Sequence, residues 1–454
     1  MLARVLACLS LAALLSLGSV LPATAQGLIR DAEIEETLRE WTDPILEVAG
    51  LVPEDVGVYI INDLSLNAFV ANGQRVHLHA GLLIAAENPG QIKGVIAHET
   101  CHIACGHTVT RSQAARVASR PALVSIGLGI IALAAGAGEA GAALIASSQQ
   151  FAALNFFVHT RAEEAMADTE AVRYLTELGQ SSMGLVEFFE KYRYQEVLSE
   201  ARRFPYFRSH PLASDRVRTT RTLALESGLS ETQPSEREMR QYHMMRAKLV
   251  GFLESPARVF RDYPPTDSTL PARYARAVSA LRVSDITAAV TEVDALIDAE
   301  PENPYFHELK GQILFEGGRA DESVEPLEEA ARLLPNQPLI LIALARSRIA
   351  RKAPGDVEAG EDDLRDALIA EPNNAFAWAQ LAIALEELGR RSEAQLATAE
   401  SAYNIGDYPR ANSFANRALR GLEPNTPDAR RAADVRNATD PQLPENEVFY
   451  RRRR

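Results

Sequence analysis

The sequence predicts an α+β fold that is mainly helical: a first domain with a small sheet, followed by an all-α solenoid. Three observations carry this. Apolar residues recur at helical spacing over most of the chain. Two short strand-like runs, Val56–Ile61 and Arg75–Leu78, interrupt that spacing near the start. Beyond residue 270 the sequence repeats itself with a period of about 34 residues. At 454 residues the chain exceeds what one core can organise and fits two or three domains. A hydrophobic share of 46% with 24% charged residues rules out wholesale disorder and a polytopic membrane protein. Forty-seven basic against 61 acidic side chains give a net charge of −14, which argues against nucleic acid as a partner. Three Cys are too few for a disulfide scaffold.

Residues 1–25 have the layout of a cleavable secretory signal. Arg4 precedes an apolar run from Val5 to Leu21, and Ala23-Thr24-Ala25 supplies small residues ahead of Gln26. A retained anchor helix is the alternative. Cleavage removes Arg4 and Cys8, so the charge moves from −14 to −15 and Cys101 and Cys105 remain. Export, most simply to a periplasm, is the expectation.

The first domain is expected over 26–255. It opens with a helix from Asp31 to about Leu46. The two strand-like runs follow, with turn-forming Asn62-Asp63 and Asn72-Gly73 between them, and helical sequence then continues to about residue 250. Within it, Pro121–Ala146 is long and apolar, but Gly136-Ala-Gly-Glu139-Ala-Gly leaves fewer than about 18 uninterrupted residues on either side, too few for a span. A helical hairpin over the active site, or a flap in peripheral contact with a membrane, fits it better. Cys101 and Cys105 read as small buried residues rather than ligands, and helix geometry disfavours a disulfide between them. A Pro-containing linker is expected over 256–269 and a disordered tail over 425–454, ending in Arg451–Arg454.

Between them, residues 270–424 carry the repeat. Leu296-Ile-Asp-Ala-Glu-Pro301, Ala330-Ala-Arg-Leu-Leu-Pro335 and Ala367-Leu-Ile-Ala-Glu-Pro372 recur at spacings of 34 and 37, and Gly406 falls 34 residues later in phase. Each period holds two amphipathic segments around a turn, as at Gly317-Gly318 and Gly389. Small residues at Gly311, Ala345 and Ala382 sit where helices must approach closely. This pattern resembles the tetratricopeptide repeat, with about four copies over 270–408 and a helix at about Tyr408–Leu422 as a cap. An irregular helical bundle is the plainer alternative. Such solenoids offer a concave surface to extended peptides or partner proteins.

The chemistry centres on His98-Glu99-Thr100-Cys101-His102. Spacing i, i+4 places both imidazoles on one helix face, where they can converge on a tetrahedral cation. Glu99 projects beside that face, within reach of a water at the cation. Two structurally satisfied helix histidines are the alternative. His107 is excluded as a shared ligand because on a continuing helix it points away from His98. Downstream, Arg161-Ala-Glu-Glu164-Ala-Met-Ala-Asp168 puts Glu164 and Asp168 on one helix face. They read either as a third ligand with an acid that holds a ligand imidazole, or as a solvated face. Glu163 is the second choice for that ligand.

Together, His98-Glu99-x-x-His102 and Glu164-x-x-x-Asp168 resemble the M48 metallopeptidase family, the gluzincins. Asn67-Ala68-Phe69 is similar to the family's edge-strand segment, His79-Ala-Gly-Leu82-Leu83 to the start of its next helix, and Ser209-His210-Pro211-Leu212 with Arg216 to the segment after its Glu helix. The likeness extends to periplasmic members that carry C-terminal tetratricopeptide repeats. It implies one Zn²⁺ per chain held by His98, His102 and Glu164, Glu99 as general base, and Asp168 supporting a ligand. It implies that His210 can occupy the fourth position and hold the enzyme latent, and that Asn67, Ala68 and Phe69 bind extended substrate. Arg216 either pairs with a carboxylate near the metal or steadies the oxyanion.

The expected function is a periplasmic zinc endopeptidase. Its substrates would be unfolded, misfolded or misassembled envelope and outer-membrane proteins, and its repeats would recruit them or the assembly machinery. A non-enzymatic chaperone or assembly factor, with a structural or latched metal, is the competing expectation. The intact Glu99 favours the enzyme, since a structural site needs no general base.

Overall fold

In the computed structural model, residues 27–446 and Phe449 are described, apart from Asn72, residues 108–160 and residues 200–201. The expected signal at 1–25, the apolar stretch Pro121–Ala146 and the Arg451–Arg454 tail lie outside the described residues. Among the described residues no helix is long and apolar enough to cross a membrane.

Gly27 leads into β1 (Leu28–Ile29), and Asp31 caps α1 (Ala32–Val48) by accepting from the Ile34 amide. The sheet adds β2 (Gly57–Ile61), β3 (Ala68–Ala71) and β4 (Arg75–His79) in the order β1-β2-β4-β3. The two runs legible as strands pair in parallel, Val58 opposite Val76 and Ile60 opposite Leu78. The chain between them forms β3, which pairs antiparallel to β4 and leaves β3 at one edge. β1, antiparallel to β2, is the other edge. The short α2 (Ala80–Ala85) follows, then α3 (Pro89–Ala104), which is buried on all sides from Gln91 to Ile103.

A helical segment over 161–177 (α4) precedes α5 (Met183–Lys191), α6 (Pro205–Ser209) and α7 (Ser214–Glu226). α3 and α5 touch backbone to backbone. A Cβ on Gly184 would lie 2.2 Å from the carbonyl carbon of Gly90, and one on Gly94 would lie 2.9 Å from the Leu185 amide nitrogen. Glycine at these positions lets the two helices meet.

α8 (Glu236–Leu253) opens on a Ser235–Glu238 capping box and joins the two halves of the molecule. Its Met245 and Leu249 share one continuous core with Trp41 and Ile96 on one side and with Tyr274, Val278 and Phe306 on the other. The expected linker at 256–269 is therefore corrected. Ser255 caps α9 (Pro256–Asp262), Val259 is fully buried, and Arg246 donates to the Tyr263 hydroxyl at 2.8 Å. The Pro residues that read as a break include a helix start.

The repeat region is a stack of helix pairs: α10 (Leu270–Arg282) with α11 (Ile286–Ala299), α12 (Pro304–Glu316) with α13 (Ala320–Leu333), α14 (Pro338–Arg351) with α15 (Asp356–Ala370), and α16 (Ala375–Glu387) with α17 (Arg391–Asn404). At Gly311 a Cβ would lie 2.3 Å from Leu327 Cγ, so this small residue sets the closeness of α12 to α13. α18 (Tyr408–Ala418) does not end the stack. Thr426 caps a further helix, α19 (Pro427–Ala438), whose Ala432 and Val435 are buried against α17 and α18. The disordered tail expected from residue 425 is corrected accordingly: 427–438 is a packed helix.

Candidate metal centre

Asn88 caps α3 by accepting from the Gln91 amide at 3.1 Å, and Pro89 occupies the first turn. The helix then runs through the core, and with it go His98 and His102, 0% and 3% exposed. The fourfold spacing sets their Nε2 atoms 3.2 Å apart. From α4, Glu164 brings Oε2 to 3.2 Å from His98 Nε2 and Oε1 to 3.6 Å from His102 Nε2. His210, at the C-terminal end of α6, brings Nδ1 to 3.3 Å from His98 Nε2 and 3.0 Å from Glu164 Oε2.

These four buried groups each offer a donor atom within 4.8 Å of the others. A tetrahedral ion with bonds of about 2.0–2.1 Å needs ligand atoms about 3.3 Å apart. The observed edges match that spacing, so the residues fit one divalent cation. Glu163, the second-choice ligand, is buried but lies outside the group.

Behind the donors sits a set of buried charges. Asp168 Oδ1 lies 2.9 Å from His98 Nδ1, an approach too bent for a straight hydrogen bond. Arg216 grips the same carboxylate, with Nε 2.7 Å from Oδ2 and Nη2 2.8 Å from Oδ1. Its Nη1 donates to the Pro211 carbonyl at 2.8 Å and lies 3.2 Å from Glu164 Oε2. Burial works against charge on His98, but Asp168 and Glu164 outweigh it and lift the imidazole to about 9. Burial likewise pushes Glu164 up, yet His210, His98 and Arg216 hold it well below the usual carboxylate range. Asp168 is held low against its own burial by Arg216 and His98.

Glu99 is fully buried, and both carboxylate oxygens lack a hydrogen-bond partner among the described residues. His210 Nε2 lies 3.4 Å from its Oε1. His210 thus faces the ligand cluster with one nitrogen and Glu99 with the other.

His107 lies outside the four-donor group, but the reason differs from the one helical periodicity supplies. α3 ends at Ala104 and Gly106 adopts φ +72°, turning the chain so that His107 Nδ1 sits 2.9 Å from His102 Nδ1. Cys101 and Cys105 require a correction, since the structure joins them in a disulfide. Their Cα atoms are 5.2 Å apart, within the range such a bond spans, and Cys105 is already the helix cap.

Asn67 precedes β3, and its carbonyl accepts from the His79 amide at 3.0 Å. Ala68 pairs with Leu78, and the Phe69 ring stacks on His77 at 4.9 Å. Sequence reasoning missed Tyr206. Its ring stacks on His210 at 4.8 Å, and its hydroxyl is buried without a hydrogen-bond partner among the described residues, driven well above the usual phenol range by burial and by Glu99. Its place four residues before His210, in a segment begun by Pro205, was the available signal.

This fold and donor set define a metallopeptidase. Peptidase family M48 matches residues 29–224, and a tetratricopeptide repeat matches residues 274–338. The chain carries a family M48 peptidase domain followed by tetratricopeptide repeats. It is similar to the beta-barrel assembly-enhancing protease of Escherichia coli (strain K12), 24% identical over 398 residues, which are 86% of this chain and 80% of that protein. The protein of that name from Yersinia pestis is 22% identical over 420 residues, 89% of this chain and 84% of the relative. A putative one from Vibrio cholerae is 25% identical over 293 residues, covering 62% of this chain and 58% of the relative, less than two thirds of its length.

Proposed function

We propose that the chain is a zinc-dependent endopeptidase of the periplasm that cleaves misfolded or misassembled envelope and outer-membrane proteins, held closed at rest by His210. The observation that carries this is the double placement of His210, with Nδ1 among the donors and Nε2 beside Glu99. The names of the relatives support the envelope as the setting.

His98, His102 and Glu164 would hold the ion. Once bound, it supplies the Lewis acidity that polarises a peptide carbonyl and acidifies a water. Asp168, fixed by Arg216, orients the His98 ring. Glu99, free of other hydrogen bonds, takes a proton from the attacking water and delivers it to the leaving amine. For that, His210 must withdraw, which frees both the fourth position and the Glu99 carboxylate. β3, at the sheet edge, pairs with extended substrate through its backbone, so unfolded or edge-exposed chains are favoured. The repeats recruit substrate or assembly machinery.

The same closed arrangement supports a second reading, a latched assembly factor that works through its repeats. Zinc content and cleavage of an unfolded protein separate the two. His210→Ala should bind zinc and cleave faster than wild type, and adding Glu99→Gln should abolish cleavage with the metal retained. If wild type and His210→Ala both bind zinc and neither cleaves, the peptidase reading fails.

A further inference from the structure

His102, near the end of α3, turns its two ring nitrogens to different neighbours. Nε2 faces the donor cluster, 3.2 Å from His98 Nε2. Nδ1 faces His107, whose own Nδ1 lies 2.9 Å away, with the ring centres 5.1 Å apart. Both rings are buried, so the contact is shielded from water. The chain reaches this position by a sharp turn. Cys105 caps α3, its bridge to Cys101 closes the last turn, and Gly106 follows at φ +72°, in the left-handed region. A helix continued without interruption would carry residue 107 about 140° round the axis from residue 102.

A ligand imidazole carries one N–H. When His102 gives its Nε2 lone pair to an ion, that proton stands on Nδ1. Two nitrogens 2.9 Å apart share only one hydrogen, so His107 keeps Nδ1 bare and carries its own proton on Nε2. His107 is then the acceptor and His102 the donor. Asp168 stands at the same nitrogen of His98, 2.9 Å from Nδ1. Each of the two helix ligands thus has a group at the nitrogen turned away from the donors. The two groups differ in origin: Asp168 is gripped by Arg216 from α7, whereas His107 comes from the turn that ends α3 itself.

We propose that His107 is a positioning residue of the metal centre: its Nδ1 accepts the Nδ1–H of His102 and fixes that imidazole in the tautomer and direction that present Nε2 to the ion. A hydrogen bond at this place raises the ligand's basicity and holds its ring. The proposal rests on the reading of His98, His102 and Glu164 as ligands, and the test separates the two.

Zn²⁺ affinity is measured on the full chain by chelator competition. His107→Leu removes the acceptor and should bind Zn²⁺ about 10–100-fold more weakly than wild type. His107→Asn offers a carbonyl oxygen close to the place of Nδ1 and should recover most of that loss. A role in packing the turn alone would not follow the acceptor in this way. The second readout is spectroscopic. In the Co²⁺-loaded chain, paramagnetic proton spectra resolve the N–H of each ligand imidazole. The His102 signal should be lost to solvent exchange in His107→Leu and return in His107→Asn. Two results overturn the proposal while the metal centre stands, with His102→Ala losing the ion as the control. One is a His107→Leu affinity within about twofold of wild type, and the other is a folded His107→Asn as weak as His107→Leu. Wild type that holds no Zn²⁺, or His102→Ala that binds it as wild type does, overturns the ligand reading and this proposal with it.

Discussion

Arg216 holds Asp168 through two hydrogen bonds of 2.7 and 2.8 Å, with both side chains buried. The pair ties α7 to the helix that carries Glu164. Removing the carboxylate leaves Arg216 buried with the Pro211 carbonyl and Glu164 as its remaining acceptors. It would then draw Glu164 away from the donor cluster, and the His98 ring would lose its orienting contact. Asp168→Ala should lower metal affinity about 10–100-fold, as measured by chelator competition. It should also cost about 3–5 kcal/mol of stability, because a buried charge loses its partner. Affinity within twofold of wild type would remove Asp168 from the support of the site.

Tyr206 makes the opposite prediction. Its hydroxyl is buried without a hydrogen-bond partner among the described residues, within the electrostatic reach of the Glu99 carboxylate. An unmet buried hydroxyl costs about 1–3 kcal/mol, and the ring's stacking on His210 does not depend on it. Tyr206→Phe should therefore raise the thermal midpoint of the resting protein. A fall would mean that the hydroxyl has a partner in solution.

The contact between α3 and α5 leaves no room for a methyl group at Gly184, whose added Cβ would lie 2.2 Å from Gly90. Neither backbone can yield without moving the helix that carries His98 and His102. Gly184→Ala should cost about 1–3 kcal/mol, read by chemical denaturation, and should weaken metal binding in parallel. Loss of stability with unchanged affinity would show that α3 shifts as a rigid body.

What could be read ahead of the structure was local. His98 and His102 share a helix face at fixed spacing, as do Glu164 and Asp168, so four neighbouring residues of the centre were visible as a pattern. The repeat was visible because each helix pair restates the same apolar and small positions. Contacts between distant segments were not visible. The parallel pairing of β2 with β4 joins runs separated by β3, and β1 is two residues long, too short for any alternation to register. The core shared across α8 and α10 arises from faces that merely look amphipathic one at a time. α9 and α19 hid behind their prolines. In both, Ser255-Pro256 and Thr426-Pro427 place a capping hydroxyl before a first-turn Pro, which is a helix-start signal as much as a break.

The seam between the peptidase domain and the repeats contains a buried charge cluster with a pH signature. Lys248, on α8, lies 2.7 Å from Asp31 and 3.5 Å from Glu33, and the Tyr274 hydroxyl donates to Glu33 at 2.6 Å. Glu308, on α12, is the surplus acid: its Oε2 is sealed and lacks a hydrogen-bond partner among the described residues. Burial is the largest push upward on its carboxyl, Lys248 opposes it, and Asp31, Glu33 and Glu35 add to it, leaving the group at about 7. A folded value above that of the unfolded chain means that folding takes up a proton. The cost of Glu308 is therefore absent below the unfolded value, grows as pH rises, and is complete above about 7. Glu308→Gln removes the charge and keeps the shape, so it should raise the thermal midpoint at pH 8, and the gain should shrink as pH falls and vanish only below the unfolded value of 4.5. A gain of equal size at pH 8 and below that value would show that Glu308 is not the group that titrates at this seam.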